Sequence, residues 1–364
     1  MNFDEFKEKI EKVRSMPIEI IDRENIPAEE ISDFDKLPEN PDISVLTITY
    51  NHSPFIRQYL ESVLNQKFDG TYEIVIGEDC STDDTRGILI EYQKKYPEKI
   101  RIVYSDKNVG GRRNLLRSLK KCRGKYIALI EGDDFWHSEL KLAKQFAYME
   151  NHPECSACFS DSDELVARTG KTRKNIWRTK GILNKEIDFT TKFLLMNPDI
   201  YFTTCTAFAK ADVVKNIFEQ APLFALRTMM GDTPLFLDLS TRGKVCLLPE
   251  SLGTRRLNLP GTSASQHIDP AKKIDFRCDI WLVKYYYAIN YLTDSELKEF
   301  NIKESSIFYL FSTCYLPKKT REFRSLLNAL DIKPSRKNNI YLLMSEYRLL
   351  NWLGKTFRRL KGIK

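Results

Sequence analysis

Residues 43–66, ISVLTITYNHSPFIRQYLESVLNQ, decide the fold class. The run opens with β-branched residues over the length of a strand. From Pro54 onward Phe55, Ile56, Tyr59, Leu60, Val63 and Leu64 recur at helical spacing, with the proline near the helix start, where its missing N–H costs nothing. A strand running into a helix opens an α/β unit. The alternation then repeats: YEIVIGED (72–79) reads as a strand, TRGILIEYQKKY (85–96) as a helix, IRIVYSD (100–106) as a strand, GRRNLLRSLKKC (111–122) as a helix and KYIALIEGDD (125–134) as a strand. Strands separated by helices predict a mainly parallel, Rossmann-like sheet with helices on both faces. Ligands of such sheets gather beyond the carboxyl ends of the strands. The segments that fall there are TYNH, EDCSTDD, SDKNVGG and EGDDFW.

Outward from this region the character changes. Residues 1–40 begin with an amphipathic pattern (Phe3, Phe6, Ile10, Val13) and continue into a proline-bearing acidic connector, read as an extension packed on the outside. Residues 41–265 carry the α/β domain, and residues 266–364 read as a helical C-terminal region. Its last segment, from Ile340 onward, reads as one basic amphipathic helix.

Composition narrows the class. The chain has 364 residues, 42% hydrophobic, 29% charged and 12% aromatic, which excludes disordered, collagenous and disulfide-scaffold classes. The most apolar stretch, Ile280 to Leu292, is interrupted by Lys284 and Asn290, so no membrane span is expected. The N-terminus offers no apolar signal core, which predicts a cytoplasmic protein with its eight cysteines reduced. Cys155 and Cys158 have C-x-x-C spacing, but CSACFSD reads as a strand that would send the two thiols to opposite faces, against a zinc or redox pair. The net charge of +7 is concentrated at the end, where Lys333 to Lys364 hold nine basic residues against Glu346 alone. There Leu342, Leu343, Tyr347, Leu350, Trp352, Leu353, Phe357 and Leu360 are interleaved with the basic set. Two readings stand: the segment lies on an anionic membrane surface, or it docks on the catalytic domain or a second copy.

Chemistry concentrates in the strand ends. Glu131, Asp133 and Asp134 place three carboxylates within four residues, which repel one another unless a cation or cationic ligand sits among them. Hard oxygen donors suit Mg²⁺ or Mn²⁺; the plainer alternative is a solvated turn capping the following helix. Asp79 ends the second strand, where an acid can accept from a base or a ribose hydroxyl, while Asp83 or Asp84 reads as the cap of the next helix. Gly110 and Gly111 offer free backbone beside Arg112 and Arg113, a diphosphate neighbourhood. Neither the dinucleotide nor the P-loop glycine motif occurs. The acidic groove also argues against nucleic acid.

Taken in order, SVLTITYNHSPFIRQYLESVLNQ, YEIVIGEDCSTDDT, NVGGRRN, GKYIALIEGDDFWHSELKLAKQ, TTCTAFAK and MMGDTPLF resemble the family 2 glycosyltransferases of GT-A fold, over roughly 200 residues from Ile43 to about Glu250. The resemblance implies transfer of a sugar from a nucleotide-diphosphate donor, UDP by default, to a saccharide or lipid-linked acceptor of a surface polysaccharide or glycolipid. It implies Thr49, Tyr50, Asn51 and Asp79 at the base and ribose, and Gly110, Arg112 and Asn114 near the diphosphate. Glu131-Gly132-Asp133 stands at the family's D-x-D position, with Asp133 as ligand of Mn²⁺ or Mg²⁺ and Glu131, Asp134 and His267 as further candidates. Asp232 stands at the catalytic base, and Arg255 and Arg256 at a phosphate clamp in a loop that lacks the family's histidine and second glycine. The same resemblance favours inversion and a single sugar per encounter. Nucleotidyl transfer and an inactive sugar-binding relative are the rival readings; the first lacks its glycine-rich loop, and the second is disfavoured by Asp79, Asp133 and Asp232 together.

Overall fold

The computed structural model describes residues 3–13, 25–179, 181, 189–197, 200, 202–220, 232–257, 269–303 and 306–360. In chain order, helix α1 (Phe3–Glu11) and the short strand β1 (Glu29–Ile31) precede β2 (Ile43–Thr49), α2 (Ile56–Leu64), β3 (Tyr72–Glu78), α3 (Thr85–Lys95), β4 (Ile100–Tyr104), α4 (Gly111–Leu119), β5 (Tyr126–Glu131) and α5 (Lys141–Asn151). There follow β6 (Cys155–Val166), β7 (Lys171–Arg173), α6 (Ile176–Thr179), α7 (Thr191–Met196), a 3₁₀ turn at Thr204–Thr206, β8 (Phe208–Lys210), α8 (Ala211–Gln220), α9 (Asp232–Arg242) and β9 (Lys244–Leu257). The C-terminal region is helical: α10 (Pro270–Tyr291), α11 (Asp294–Lys303), α12 (Ser306–Ser312), α13 (Pro317–Ala329), α14 (Arg336–Glu346) and α15 (Arg348–Leu360).

The strands form one sheet in the order β1-β4-β3-β2-β5-β8-β6-β7, with β9 beside β6. Strands β4, β3, β2 and β5 are parallel, as the alternation of elements predicts, and β8 turns antiparallel against both β5 and β6. The register sets Thr49 opposite Glu78 and Ile48 opposite Glu131, so the carboxyl ends of the central strands are level. Both faces are buried. Val45, Ile74, Ile76 and Ile130 pack under Ile56, Leu60, Leu89 and Leu142 of α2, α3 and α5. Leu46, Val75, Val103 and Leu129 face the other way into a core shared with α4 and the C-terminal helices, where Trp281, Phe311 and Phe323 meet.

Four expectations need correction. The N-terminal extension is not an outer appendage: Phe6 and Ile10 have no exposed surface, and Phe6 meets the ring of Tyr286 edge-on at 5.3 Å. Strand β1 closes one edge of the sheet, its Glu30 paired at 2.8 Å with Arg101, which also reaches the fully buried Glu73. Second, Cys155 and Cys158 share a face. A register shift between Cys155 and Ala157 returns both thiols to the α5 side, while Ala157 and Phe159 face the opposite core. Third, the basic C-terminal segment is two helices, broken at Tyr347, whose backbone is extended. Fourth, the acidic turn caps no helix, since α5 starts only at Lys141.

Candidate active site

The loops after β2 and β3 are knotted together. Asn51 adopts a left-handed backbone (φ 55°), its amide oxygen accepts from the Thr82 N–H at 2.7 Å, and its own N–H donates to Ser81. Asp83 accepts from the N–H groups of Ser53 and Thr85, so it rather than Asp84 serves the start of α3. This leaves the Tyr50 ring exposed at the sheet edge and buries two polar atoms with no protein partner, Thr49 Oγ1 and His52 Nδ1. Burial holds the His52 imidazolium below its ordinary range, against the pull of Asp133 and Asp83.

Asp79 organises the next wall. Its carboxylate accepts from the N–H groups of Val109 at 2.8 Å and Gly110 at 3.0 Å, and Arg117 stands 3.7 Å away. Asn108 donates to the Asp79 carbonyl, and Gly110, at φ 86°, turns the chain into α4. Burial raises the Asp79 carboxyl despite the two N–H groups and the guanidinium. Asp79 is therefore buried at 3% exposure as the clasp of the glycine loop. Arg112 and Arg113 stand on the first turn of α4, half-buried. Asn114 does not reach the cleft. It is 1% exposed, donates to the Gly77 carbonyl at 2.7 Å and accepts from Arg117, so its expected donor contact is replaced by a structural one.

The acidic turn follows β5. Gly132 donates to the Ile48 carbonyl, and a Cβ on it would stand 2.7 Å from Thr49 Oγ1, so only glycine lets the turn lie against β2. Phe135 pairs with Thr254 of β9 in both directions, strapping the turn to the far side of the sheet. Arg256 fixes the strap: its N–H donates to Asp134 at 2.6 Å, its Nε to the Asp133 carbonyl, and its guanidinium lies between the rings of Phe55 and Phe135. Arg256 is a brace of the turn rather than a clamp over it. Asp134, 6% exposed, is held well above the carboxylate range by burial and by the charges of Asp133 and Glu131.

Three further groups converge here. Burial pushes Glu131 up to about 7, helped by the charges of Asp133 and Asp232 and opposed by a hydrogen bond from Thr204 and the charge of Arg255. Asp232 opens α9, accepts the Thr233 N–H at 2.7 Å, and is raised by burial while Arg255 lowers it. Arg255 is thus the cation felt by Glu131, Asp134 and Asp232 alike, the position Arg256 does not fill. Thr49, Tyr50, Glu131, Gly132, Asp133, Arg255 and Asp232 meet at one sheet edge as the sequence predicts; His267 lies outside the described residues. Thr204 was not foreseen. Its signal lay in TTCTAFAK, whose polar start precedes a buried strand and sits in the 3₁₀ turn beside β5.

Among the described residues no three acidic, histidine or cysteine side chains form a metal cage by themselves. The donor set still fits a hard divalent cation. Glu131 and Asp134 are raised by the charge of Asp133 even against the pull of Arg255, which marks negative potential at the turn, and such ions commonly take most of their ligands from phosphates and water. No described helix is long and apolar enough to cross a membrane.

Comparison with known proteins bears on the fold and the family. The sequence model "Glycosyl transferase family 2" matches residues 44–218. An uncharacterised protein of Mycobacterium tuberculosis is 39% identical over 233 residues, 63% of each chain, so the present chain spans under two thirds of that relative's length. The Bacillus subtilis protein TuaG, named for a teichuronic acid biosynthesis glycosyltransferase, is 38% identical over 36% of this chain and 50% of its own. Among solved structures, residues 1–349 of Staphylococcus aureus TarS in complex with UDP-GlcNAc superpose with a TM-score of 0.62 at 16% identity, covering 87% of this chain and 92% of that one. The Pyrobaculum calidifontis mannosyltransferase PcManGT with GDP-Man and Mn²⁺ gives 0.53 at 13% identity, covering 96% and 92%. Both likenesses are of fold. Residues 44–218 thus match glycosyl transferase family 2, on a fold shared with solved glycosyltransferases.

Proposed function

We propose that this protein is a metal-assisted, inverting glycosyltransferase that moves a sugar from a nucleotide-diphosphate donor, UDP-linked by preference, to a hydroxyl of a saccharide or lipid-linked acceptor during synthesis of a surface polymer. The transferase unit is residues 41–265, acting in the cytoplasm. The observation that carries the reading is the arrival of Asp232, from far along the chain, within electrostatic reach of Glu131 and Arg255 at the carboxyl edge of the sheet. Asp232 accepts the proton of the acceptor hydroxyl as that oxygen attacks the anomeric carbon opposite the departing nucleotide. Burial makes this carboxylate a stronger base than a solvated one, and the charge of Arg255 works against that rise. Tyr50 offers an exposed ring to the base, Thr49 an unpartnered hydroxyl, and Arg112 a charge to the diphosphate beside the loop that Asp79 holds. A divalent cation on Asp133, with Glu131 and Asp134 behind it, would supply Lewis-acid stabilisation of the leaving diphosphate.

The test is a thermal-shift screen of UDP, GDP, dTDP and CDP with Mn²⁺, with Mg²⁺ and with EDTA, on the wild type and on Asp232→Asn. A metal-dependent rise with UDP is expected in both proteins. Release of UDP from its sugar conjugates is expected to fall by about 10²–10⁴-fold in the variant alone. No shift with any nucleotide would overturn the donor reading. Loss of the shift in Asp232→Asn would reassign that residue to donor binding.

A further inference from the structure

The terminal helix is mounted inside out. On α15 the residues that face the protein are Asn351, 4% exposed, whose amide donates to the Ser312 carbonyl at 3.2 Å, and Gly354, which closes on Met344 of α14 so tightly that a Cβ there would clash. The large apolar residues of positions 347–353 point the other way: Leu349 is 67% exposed, Trp352 61% and Leu353 48%, with Leu350 and the preceding Tyr347 exposed beside them. An amphipathic helix serving only the fold buries its apolar stripe and turns its polar face to water. This one does the reverse. Exposed apolar residues scattered singly need no explanation, but five within the seven positions 347–353 form a patch.

We propose that α15, with the break at Tyr347 before it, is an in-plane membrane-docking element that seats Leu349, Trp352 and Leu353 in an anionic lipid surface. Two observations choose this occupant. The segment 333–364 carries nine basic residues against one acid, so it is complementary to anionic headgroups and repels a second copy of itself. The patch also contains a tryptophan and a tyrosine, whose amphipathic rings favour the boundary between headgroup and acyl chain. The polar, glycine-bearing inner face lets α15 lie flat on α14 while the outer face meets the bilayer. The inference does not depend on the transfer reaction, and its test uses none.

The full chain is sedimented with phosphatidylcholine vesicles, and with vesicles of phosphatidylcholine mixed with phosphatidylglycerol, at low and high salt. The double variant Leu349→Ser with Trp352→Ser is compared. Both positions are exposed, so the variant is expected to melt at the wild-type temperature. The expected result is sedimentation with the phosphatidylglycerol vesicles only, weakened by salt and lowered by about 100-fold in the variant. Equal binding to both vesicle types would overturn the anionic commitment. No binding to either, together with a concentration-dependent dimer that the variant loses, would assign the patch to a second copy instead. No binding and no self-association would remove the docking role.

Discussion

Asp238 shows what a single carboxylate does when the fold closes over it. It lies nearly two turns beyond Asp232 on α9, 9% exposed, with one oxygen that finds no partner. Burial pushes it up to about 6, against the pull of the Tyr287 hydroxyl and Arg242. A carboxyl raised in the folded state binds its proton more tightly there than in the unfolded chain. Its contribution is therefore present in acid, falls as pH rises from the unfolded value near 4 to about 6, and stays lost above that. The loss is on the order of 3 kcal/mol. Asp238→Asn is expected to be more stable than the wild type by about 1–3 kcal/mol at neutral pH and nearly equal to it below the unfolded value. Urea denaturation of both proteins at the two pH values checks this, and a pH-independent difference would show that Asp238 does not titrate across that range. The same contrast explains what was legible at this scale. Sequence placed Thr49, Glu131, Asp133 and Asp232 at the sheet's carboxyl edge because they follow strands or open a helix in a known order. It misjudged Asn114 and Arg256 because polarity marks a residue as near a strand end but not the direction in which it points. Asn114 turns under the sheet, and Arg256 turns between Phe55 and Phe135 while its neighbour Arg255 faces the acids.

Among elements, the central strands were legible because a buried parallel sheet demands uninterrupted β-branched runs, and ISVLTIT and YEIVIGE are such runs. The acidic turn was legible at its place after β5, but its strap was not, because its partner is β9, more than a hundred residues away in sequence, and the Phe135–Thr254 pairing leaves no local pattern. Its position against β2 can be tested at one atom. Gly132→Ala would set a methyl 2.7 Å from Thr49 Oγ1, 2.9 Å from Thr49 Cβ and 3.0 Å from Ile56 Cδ1, all groups whose places are fixed by β2 and α2. Overpacking of this kind costs about 1–3 kcal/mol. The turn can relieve it only by lifting away from Thr49, which carries Glu131 and Asp133 with it. The variant is expected to unfold at lower urea and to lose the metal-dependent nucleotide shift. Full retention of that shift would mean that the turn has slack which its contacts with Ile48 and Thr254 do not suggest.

Across the whole molecule, the two chain ends were read by charge and pattern alone, and tertiary packing decides how each lies. At the C-terminus the amphipathic pattern left two readings open, a membrane surface or a docked helix, since only the tertiary packing decides which face turns inward; Leu349, Trp352 and Leu353 stand exposed. At the N-terminus the short helical pattern was correct, yet its apolar residues sit inside the core that joins the sheet to the C-terminal helices. Helix α1 packs beside α13, Phe6 stacks edge-on against Tyr286 of α10, and neither Phe6 nor Ile10 keeps any exposed surface. The segment therefore acts as a wedge between two parts of one continuous core. Phe6→Ala removes an aromatic ring from a site closed on every side, and such truncations cost about 3–5 kcal/mol, transfer and cavity terms together. An outer appendage would lose under about 0.5 kcal/mol on the same substitution. Because the cavity would open between α1 and α10 rather than under the central strands, the loss is expected to appear as one cooperative transition at lower urea, with Tyr286 signals and the sheet unfolding together. Two transitions, with the sheet unchanged in the second, would show instead that the N-terminal helix and the C-terminal region fold as a unit separate from the transferase sheet.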